Sequence, residues 1–344
     1  MKTISISKLK RHLIYFSLSF LITTLILSFR GQLLEDTLRN FYRKNICNCD
    51  TLRPIEVLDS LGVPIIDFFS ISGYHIGKQR NPVSVCFKAD EYYLKNEIIK
   101  FNNCVDWISD NSTLEDTVRY LNYNYDWLYG MQKPWKSAMA QGLSIKVFTQ
   151  AYELSKDTIF LFFISEFINS FYVPVDSGGV TYFINDTTWW YEEYSHVNGD
   201  NPMILNGMLF CLDNLYYNFE KTGNKHSLDL FKKGINALEN KLNIYDTGNL
   251  SYYDNQKNMA NEYYHNIHVK FLKKFYEITK NETLKSYYDK WKLYKSENYI
   301  ISCVKKPNKT FIVLFVGLII IFYLLFILRL LKKFYLFFLN NKNK

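Results

Sequence analysis

Two adjacent glutamates, Glu192 and Glu193, stand in the run Trp190-Tyr191-Glu192-Glu193-Tyr194, and Asn206-Gly207, Tyr245-Asp246-Thr247-Gly248, Tyr253-Asp254 and Tyr264-His265 follow within about 75 residues. Carboxylates and phenols in fixed local frames are equipment for moving a proton at a weakly acidic carbon. A proton next to a carboxylate is hard to remove, because the enediolate-like intermediate is nearly dianionic until the carboxylate charge is neutralised. Removal on one ring face and return on the other needs two flanking groups, and a carboxylate and a phenol shifted by burial can supply them. Tyrosine, with an ordinary pKa of about 10, is a poor resting base and a competent donor. Each tyrosine taken singly is nonetheless better explained by packing, since the chain holds 28. His265 and His268 stand at i, i+3, which suits a metal, but no carboxylate or third histidine lies at ligand spacing, so a structural or sugar-contact role is expected. No nucleophile elbow, phosphate loop or dinucleotide fingerprint is present.

Apolar residues at three and four spacing predict the elements that position these groups: helices over 82–95, 97–109, 137–154, 158–171, 203–219, 227–242, 262–278 and 282–294. Tyr152-Glu153-Leu154-Ser155-Lys156-Asp157 is echoed by Phe219-Glu220-Lys221-Thr222-Gly223-Asn224 and by Tyr276-Glu277-Ile278-Thr279-Lys280-Asn281. Each echo ends one amphipathic helix before the next begins, which marks the tip of a helical hairpin. The expected fold is mainly α: an incomplete (α/α) toroid of hairpins with short β inserts. An open solenoid is the competing architecture, but the inserts are long and dissimilar. Residues 172–194, with Gly178-Gly179 and alternating Val180, Tyr182 and Ile184, read as a β excursion, and 245–261 as a second. Both carry the chemistry, as loops on a rigid scaffold do.

With 344 residues, 48% of them hydrophobic, the chain can bury one substantial body plus accessory segments. Its net charge of +8 favours an anionic partner, but no basic nucleic-acid motif accompanies it, so nucleic acid is not expected as a partner. The run His12–Phe29 lacks charged side chains and follows Lys8, Lys10 and Arg11, which reads as an uncleaved signal anchor or a signal peptide, the anchor being favoured because no clean small-x-small cleavage site follows. Thr310–Leu328 is also uncharged and precedes Arg329, Lys332 and Lys333, a stop signal on the cytosolic side, although Lys305, Lys306 and Lys309 put positive charge on the other flank too. Four regions follow: an anchor over 1–30, a short irregular, β-containing lead-in over 31–80, the helical body over 81–304 and a membrane helix with basic tail over 305–344. Both chain ends then lie in the cytosol and the body lies outside it, in the Golgi lumen of a eukaryote or the periplasmic or extracellular space of a prokaryote. The cysteines Cys47, Cys49, Cys86, Cys104, Cys211 and Cys303 fit either one or two disulfides or buried free thiols.

The blocks Trp135-Lys136-Ser137-Ala138-Met139-Ala140-Gln141-Gly142, Gly178-Gly179-Val180, Trp190 to Tyr194, Leu205-Asn206-Gly207, Leu242 to Gly248, Tyr253-Asp254 and Tyr264 to His268 come in a fixed order. Over about residues 80–295 this order and spacing resembles the C-terminal catalytic domain of the D-glucuronyl C5-epimerases of heparan sulfate and heparosan. The resemblance implies a toroid whose cleft holds an anionic uronate-containing polysaccharide and inverts C5 of glucuronate to give iduronate. It places the catalytic residues at Glu193, Tyr194, Tyr253 and Tyr264: Glu193 and Tyr264 transfer protons on opposite ring faces, and Tyr194 and Tyr253 assist and hold the carboxylate. Substrate contacts are expected from Trp135, Gln141, Trp190, Asn206, Lys257, His265 and His268. It calls for no metal or organic cofactor, with a structural calcium ion and a homodimer left open.

The pattern departs at one telling position. Animal members carry an arginine three residues after the tyrosine of the Tyr-Asp pair, where this chain has Gln256; Lys257 is the candidate replacement, without the bidentate fork of a guanidinium. The lead-in is short, and the C-terminal membrane helix lies outside the family pattern. A polysaccharide lyase on the same scaffold, which begins with the same proton abstraction, and a catalytically silent glycan-binding membrane protein are the alternatives.

Overall fold

Four sharp reversals organise the helices. Lys156, Gly223 and Lys280 directly after a helix, and Asn96 one residue further on, adopt φ between +56° and +71°, the left-handed stop that lets the next helix fold back on the last. The first three lie in the echoed hairpin tips. The computed structural model describes residues 2–42, 54–68, 70–71, 74–294, 297–305 and 309–342. Its helices are α1 (Lys2–Tyr42), α2 (Pro82–Leu94), α3 (Ile98–Asn111), α4 (Ala138–Ser155), α5 (Ile159–Asn169), α6 (Leu205–Thr222), α7 (Lys225–Lys241), α8 (Glu262–Thr279), α9 (Glu282–Trp291), α10 (Tyr299–Lys305) and α11 (Lys309–Lys342). The strands are β1 (Ile55–Leu58), β2 (Pro64–Asp67), β3 (Ser70–Ile71), β4 (Tyr74–His75), β5 (Lys78–Gln79), β6 (Ser112–Glu115), β7 (Val118–Tyr123), β8 (Trp135–Lys136), β9 (Thr181–Asn185) and β10 (Thr188–Tyr191). The protein is thus mostly helical, as expected.

The chain divides into a unit of Met1–Leu52 with Glu297–Lys344 and a unit of Arg53–Ser296. In the first, α1 and α11 run antiparallel: His12 Nδ1 is 2.8 Å from the Tyr323 hydroxyl, Tyr15 stacks on Phe326, and Phe20 meets Phe315 edge-on. Leu9–Arg39 and Lys309–Arg329 are long and apolar enough to cross a membrane. Their pairing puts the two chain ends at the same end of this helical hairpin. The first helix continues past residue 30 to Tyr42, into the segment expected to be irregular. No proline interrupts this stretch, and Glu35 ties back to Arg39 one turn on at 2.5 Å. Short α10 packs on α1 through a Tyr299 hydroxyl bond to Glu35, 2.6 Å, over Gly31, whose missing side chain leaves room for the Tyr299 ring.

In the second unit the hairpins are α2/α3, α4/α5, α6/α7 and α8/α9, and their first helices pack in succession, α2 on α4, α4 on α6, α6 on α8. Helix α4 is buried along most of its length, and Gly142 lets its backbone approach α6, where an added Cβ would meet the Cys211 Cα at 3.2 Å. Phe148, Phe167, Phe171, Phe231, Phe275 and Trp291 are fully buried between the layers, each stabilising by about 1.5–3 kcal/mol. Asn81, Ser137, Asn224, Asn261 and Asn281 cap the helices that follow them.

The within-hairpin turns are short, whereas the connections between hairpins are long and carry the strands. The helical reading from residue 81 onward misses one of these. Residues 112–136 form a three-stranded antiparallel sheet, β6-β7-β8, with Tyr123 opposite Trp135. Its signal is the alternation Leu121, Tyr123, Tyr125, Trp127, Tyr129, with Asn122, Asn124 and Asp126 between, a period of two. The next connection holds the expected β excursion, as β9 paired with β10, and the last holds a single bridge between Tyr252 and Met259. Strands β1, β2 and β5 form a small sheet in the lead-in. Cys86, Cys104, Cys211 and Cys303 are buried free thiols, and Cys47 and Cys49 lie outside the described residues.

Candidate active site

Strand β10 ends in a segment locked on both edges. Glu192 N–H donates to Val180, its carbonyl accepts Ala138 N–H at the start of α4, and Ser195 and Lys136 exchange two backbone bonds of 2.9 Å. Glu193 and Tyr194, between these anchors, therefore project from a fixed backbone. Glu193 is buried against the N-terminus of α6, where Asn206 Nδ2 donates to its Oε2 at 3.3 Å and Gly207 N–H and the Tyr194 hydroxyl lie beside the carboxylate and favour its charged form. Gly207 is required by this approach, since an added Cβ would lie 2.3 Å from Glu193 Oε2. Burial raises the Glu193 pKa to about 7, and its donors hold it from going higher.

The tyrosines extend from this carboxylate. The Tyr194 and Tyr253 hydroxyls lie close to one another and to Glu193, and both phenols feel the Glu193 charge. Tyr264 meets Tyr253 edge-on at 5.0 Å between ring centres and lies close enough to Glu193 to feel its charge. Burial first, and the neighbouring carboxylate second, push all three phenols above their ordinary range, which keeps them protonated as donors. The structure thus brings the four expected catalytic residues into one cluster, drawn from the β10 end, the 245–261 connection and the first turn of α8.

A small cleft opens beside Glu193 and Tyr194, lined also by Asn81, Val83, Tyr123, Trp127, Trp135 and Ser137. Its wall is aromatic. Tyr123 stacks on Trp135 at 3.8 Å, Trp127 lies parallel to Trp135, Phe68 from the lead-in packs on Trp127, and Trp135 meets Tyr194 edge-on. Flat apolar faces with polar rims suit a sugar ring.

Of the expected substrate contacts, Trp135 and Asn206 reach the cleft or its carboxylate. Gln141 is fully buried and clips α4 to β7 through both Leu121 backbone groups, at 3.3 and 3.4 Å. Trp190 is fully buried and stacked on Tyr245. His265 accepts from Ser251 N–H at 3.0 Å and bonds the Trp291 carbonyl, and His268 faces the Ser251 hydroxyl at 2.8 Å. These two histidines fasten the 245–261 connection to α8 and α9 and are not brought to the cleft. Lys257 and Gln256 are exposed on the turn after Tyr253. Among the described residues no three His, Cys, Asp or Glu side chains gather as a metal-binding group.

Sequence reasoning missed two contributors. Asp254 is fully buried and accepts from the Tyr129 hydroxyl at 2.6 Å and from Asn258 N–H and side chain at 3.0 and 2.7 Å, which shapes the Tyr253 turn. Tyr129 in turn stacks on Tyr194 at 5.5 Å. The period-two aromatic run would have revealed Tyr129; its pairing with Asp254, 125 positions away, has no local sign.

A helical-hairpin body that gathers a buried glutamate and three phenols beside an aromatic cleft has the features of a protein of the carbohydrate-epimerase kind. Residues 115–293 match the D-glucuronyl C5-epimerase C-terminus model, and the chain belongs to that family. It is 33% identical over 178 residues to the D-glucuronyl C5-epimerase of Caenorhabditis elegans, covering 46% of this chain and 28% of that enzyme. An uncharacterized protein of Methanocaldococcus jannaschii is 29% identical over 266 residues, 70% of this chain and 85% of its own length. Among solved structures, cellobiose 2-epimerase from Bacillus thermoamylovorans superposes with a TM-score of 0.47 at 12% identity, over 61% of this chain and 57% of that one. A GH76 α-mannanase from Bacteroides thetaiotaomicron gives 0.44 at 13%, over 78% and 70%.

Proposed function

We propose that this protein is a membrane-anchored uronate C5-epimerase that converts D-glucuronate to L-iduronate within an anionic, heparosan-like polysaccharide on the non-cytosolic side of a membrane, its body an incomplete (α/α) toroid. The observation that carries this reading is the cluster itself: a buried carboxyl raised to about 7, with Tyr194, Tyr253 and Tyr264 extending from it. A base with a pKa near the working pH combines adequate ionisation with adequate driving force. Glu193 takes the C5 proton on one face of the uronate. The electron pair left on C5 delocalises into the substrate carboxylate, which Tyr194 and Tyr253 steady by hydrogen bonds. Tyr264 gives a proton to C5 from the other face. The cycle closes when the proton on Glu193 is lost and the Tyr264 phenolate regains one. Lys257, on the turn that follows Tyr253, supplies positive charge toward the substrate carboxylate in place of the arginine that Gln256 replaces, and the Trp135 wall seats the chain.

Incubating the full-length protein with heparosan in deuterated water tests the reading. Deuterium at C5 together with iduronate is the expected result. No exchange on any glucuronate-containing polymer sinks it, and a rise in absorbance from unsaturated uronate turns it into a lyase.

A further inference from the structure

Glu192 has no part in that proton transfer, yet it is fully buried, and its Oε1 is a buried oxygen with no hydrogen-bond partner. Its other oxygen reaches the short span before α6. Two non-glycine residues there, Asn201 and Met203, sit in the left-handed region at φ +43° and +47°. Met203 is gripped on both sides of its Cα: its N–H donates to Glu192 Oε2 at 3.1 Å, and its carbonyl accepts the Tyr245 hydroxyl at 2.6 Å. A bulky side chain at positive φ persists only where its surroundings over-determine it. The span then holds the turn that carries Tyr253. Leu205 N–H donates to the Tyr253 carbonyl at 3.0 Å, Asn255 N–H to Pro202 at 3.0 Å, and the Asn255 side chain to Asn201 at 3.2 Å. Glu192 can act as the fixed end because its own backbone is pinned to Val180 and Ala138, both at 2.8 Å.

We propose that Glu192 is a positioning residue: with Tyr245 it clamps Met203 in its left-handed conformation and thereby sets Tyr253 against Tyr194 and Glu193. The catalytic consequence rests on the epimerase reading, while the structural one does not.

Two measurements on the full-length protein separate these. In hydrogen–deuterium exchange read by mass spectrometry, Glu192→Ala speeds amide exchange at least tenfold across 201–205 and 253–258. Glu192→Gln, whose amide oxygen still accepts Met203 N–H, restores protection. Unchanged exchange in Glu192→Ala, or equal loosening in both variants, overturns the clamp. Should the alanine variant not fold, Tyr245→Phe removes the other grip and is read in the same way. In C5 exchange on heparosan, Glu192→Ala lowers kcat at least tenfold with KM changed less than threefold, and adds no further loss in a Tyr253→Phe background. Full additivity there refutes action through Tyr253. A wild-type protein inert on every uronate polymer removes the epimerase reading and leaves the amide-exchange result to decide the clamp.

Discussion

Replacing Asn206 by alanine takes from Glu193 a donor that favours its charged form. A hydrogen bond to a charged group contributes about 1.5–3 kcal/mol, and the Asn206 contact of 3.3 Å is longer than the optimum of about 2.9 Å, so the low end applies. One pKa unit corresponds to about 1.4 kcal/mol, and the Glu193 pKa therefore rises by about one unit from its value of about 7. The sign follows from which form loses its partner: the carboxylate is disfavoured, so the base is ionised only at higher pH. At pH 7 the ionised fraction drops from about one half to about one tenth, a roughly fivefold loss of rate that shrinks toward about a tenth at pH 9. Initial rates of C5 deuterium exchange between pH 5 and 9 give the measurement. An acid limb that stays in place, moves to lower pH, or gives way to a uniform loss at every pH would refute Glu193 as the base.

Tyr264→Phe should lower C5 exchange by about a hundredfold or more with circular dichroism unchanged, and full retention of activity refutes its role as the opposite-face donor. Gly207→Ala drives a methyl into the Glu193 carboxylate, 2.3 Å from Oε2; overpacking of this kind costs about 1–3 kcal/mol, and the exchange rate should fall at least tenfold, so a wild-type rate would show that the carboxylate does not work from this position. Tyr129→Phe strips a donor from buried Asp254 and should lower stability by about 1–3 kcal/mol in urea denaturation; an unchanged midpoint would mean the pair is dispensable. The pH dependence of stability has a defined sign as well. Burial raises Glu192 to about 8 and Glu193 to about 7, above the unfolded value of about 4.3, so the folded state keeps protons the unfolded chain has lost and stability falls as pH rises through that window. His265 and His268, both lowered by burial, are neutral in either state above about pH 6.5 and do not offset this. The urea midpoint should fall between pH 6.5 and 8, less so in Glu192→Gln, and a rising midpoint contradicts the assignment.

The helices were legible because the three-and-four spacing, the asparagine and serine caps and the echoed tips all point the same way; Lys156, Gly223 and Lys280 carry the left-handed stops the echoes imply. The four residues expected to be catalytic could be singled out together because Glu193-Tyr194, Tyr253 and Tyr264 stand in ordered blocks, and the structure gathers them into one cluster. The wall was not, because a helical rhythm on both flanks masked the alternation of Tyr123, Tyr125, Trp127 and Tyr129. Gln141 and Trp190 read as sugar contacts because they sit inside matching blocks, but proximity in sequence does not say which side of a helix or strand faces the cleft: Gln141 spends its amide on Leu121 and Trp190 packs on Tyr245. Asp254 pairs with Tyr129 across 125 positions, a contact that exists only once two connections have met.

That meeting follows from topology. The short turns, at Asn96, Lys156, Gly223 and Lys280, come after the first helix of each hairpin, and the long connections come after the second. Because the helices alternate in direction, the short turns fall at one end of the row and the long connections at the other. The lead-in, which precedes α2, joins that second end and delivers Phe68 to Trp127. So the aromatic wall, the Glu193–Tyr194 segment and the Tyr253 turn converge at the same end where the first turns of α6 and α8 present Asn206 and Tyr264. Substitutions at the short turns should therefore act on stability, and those in the three long connections on exchange at C5. The Glu192 grip on Met203 lies where two of those connections touch, and it is there that a change of one carboxyl group should pass from backbone geometry into rate.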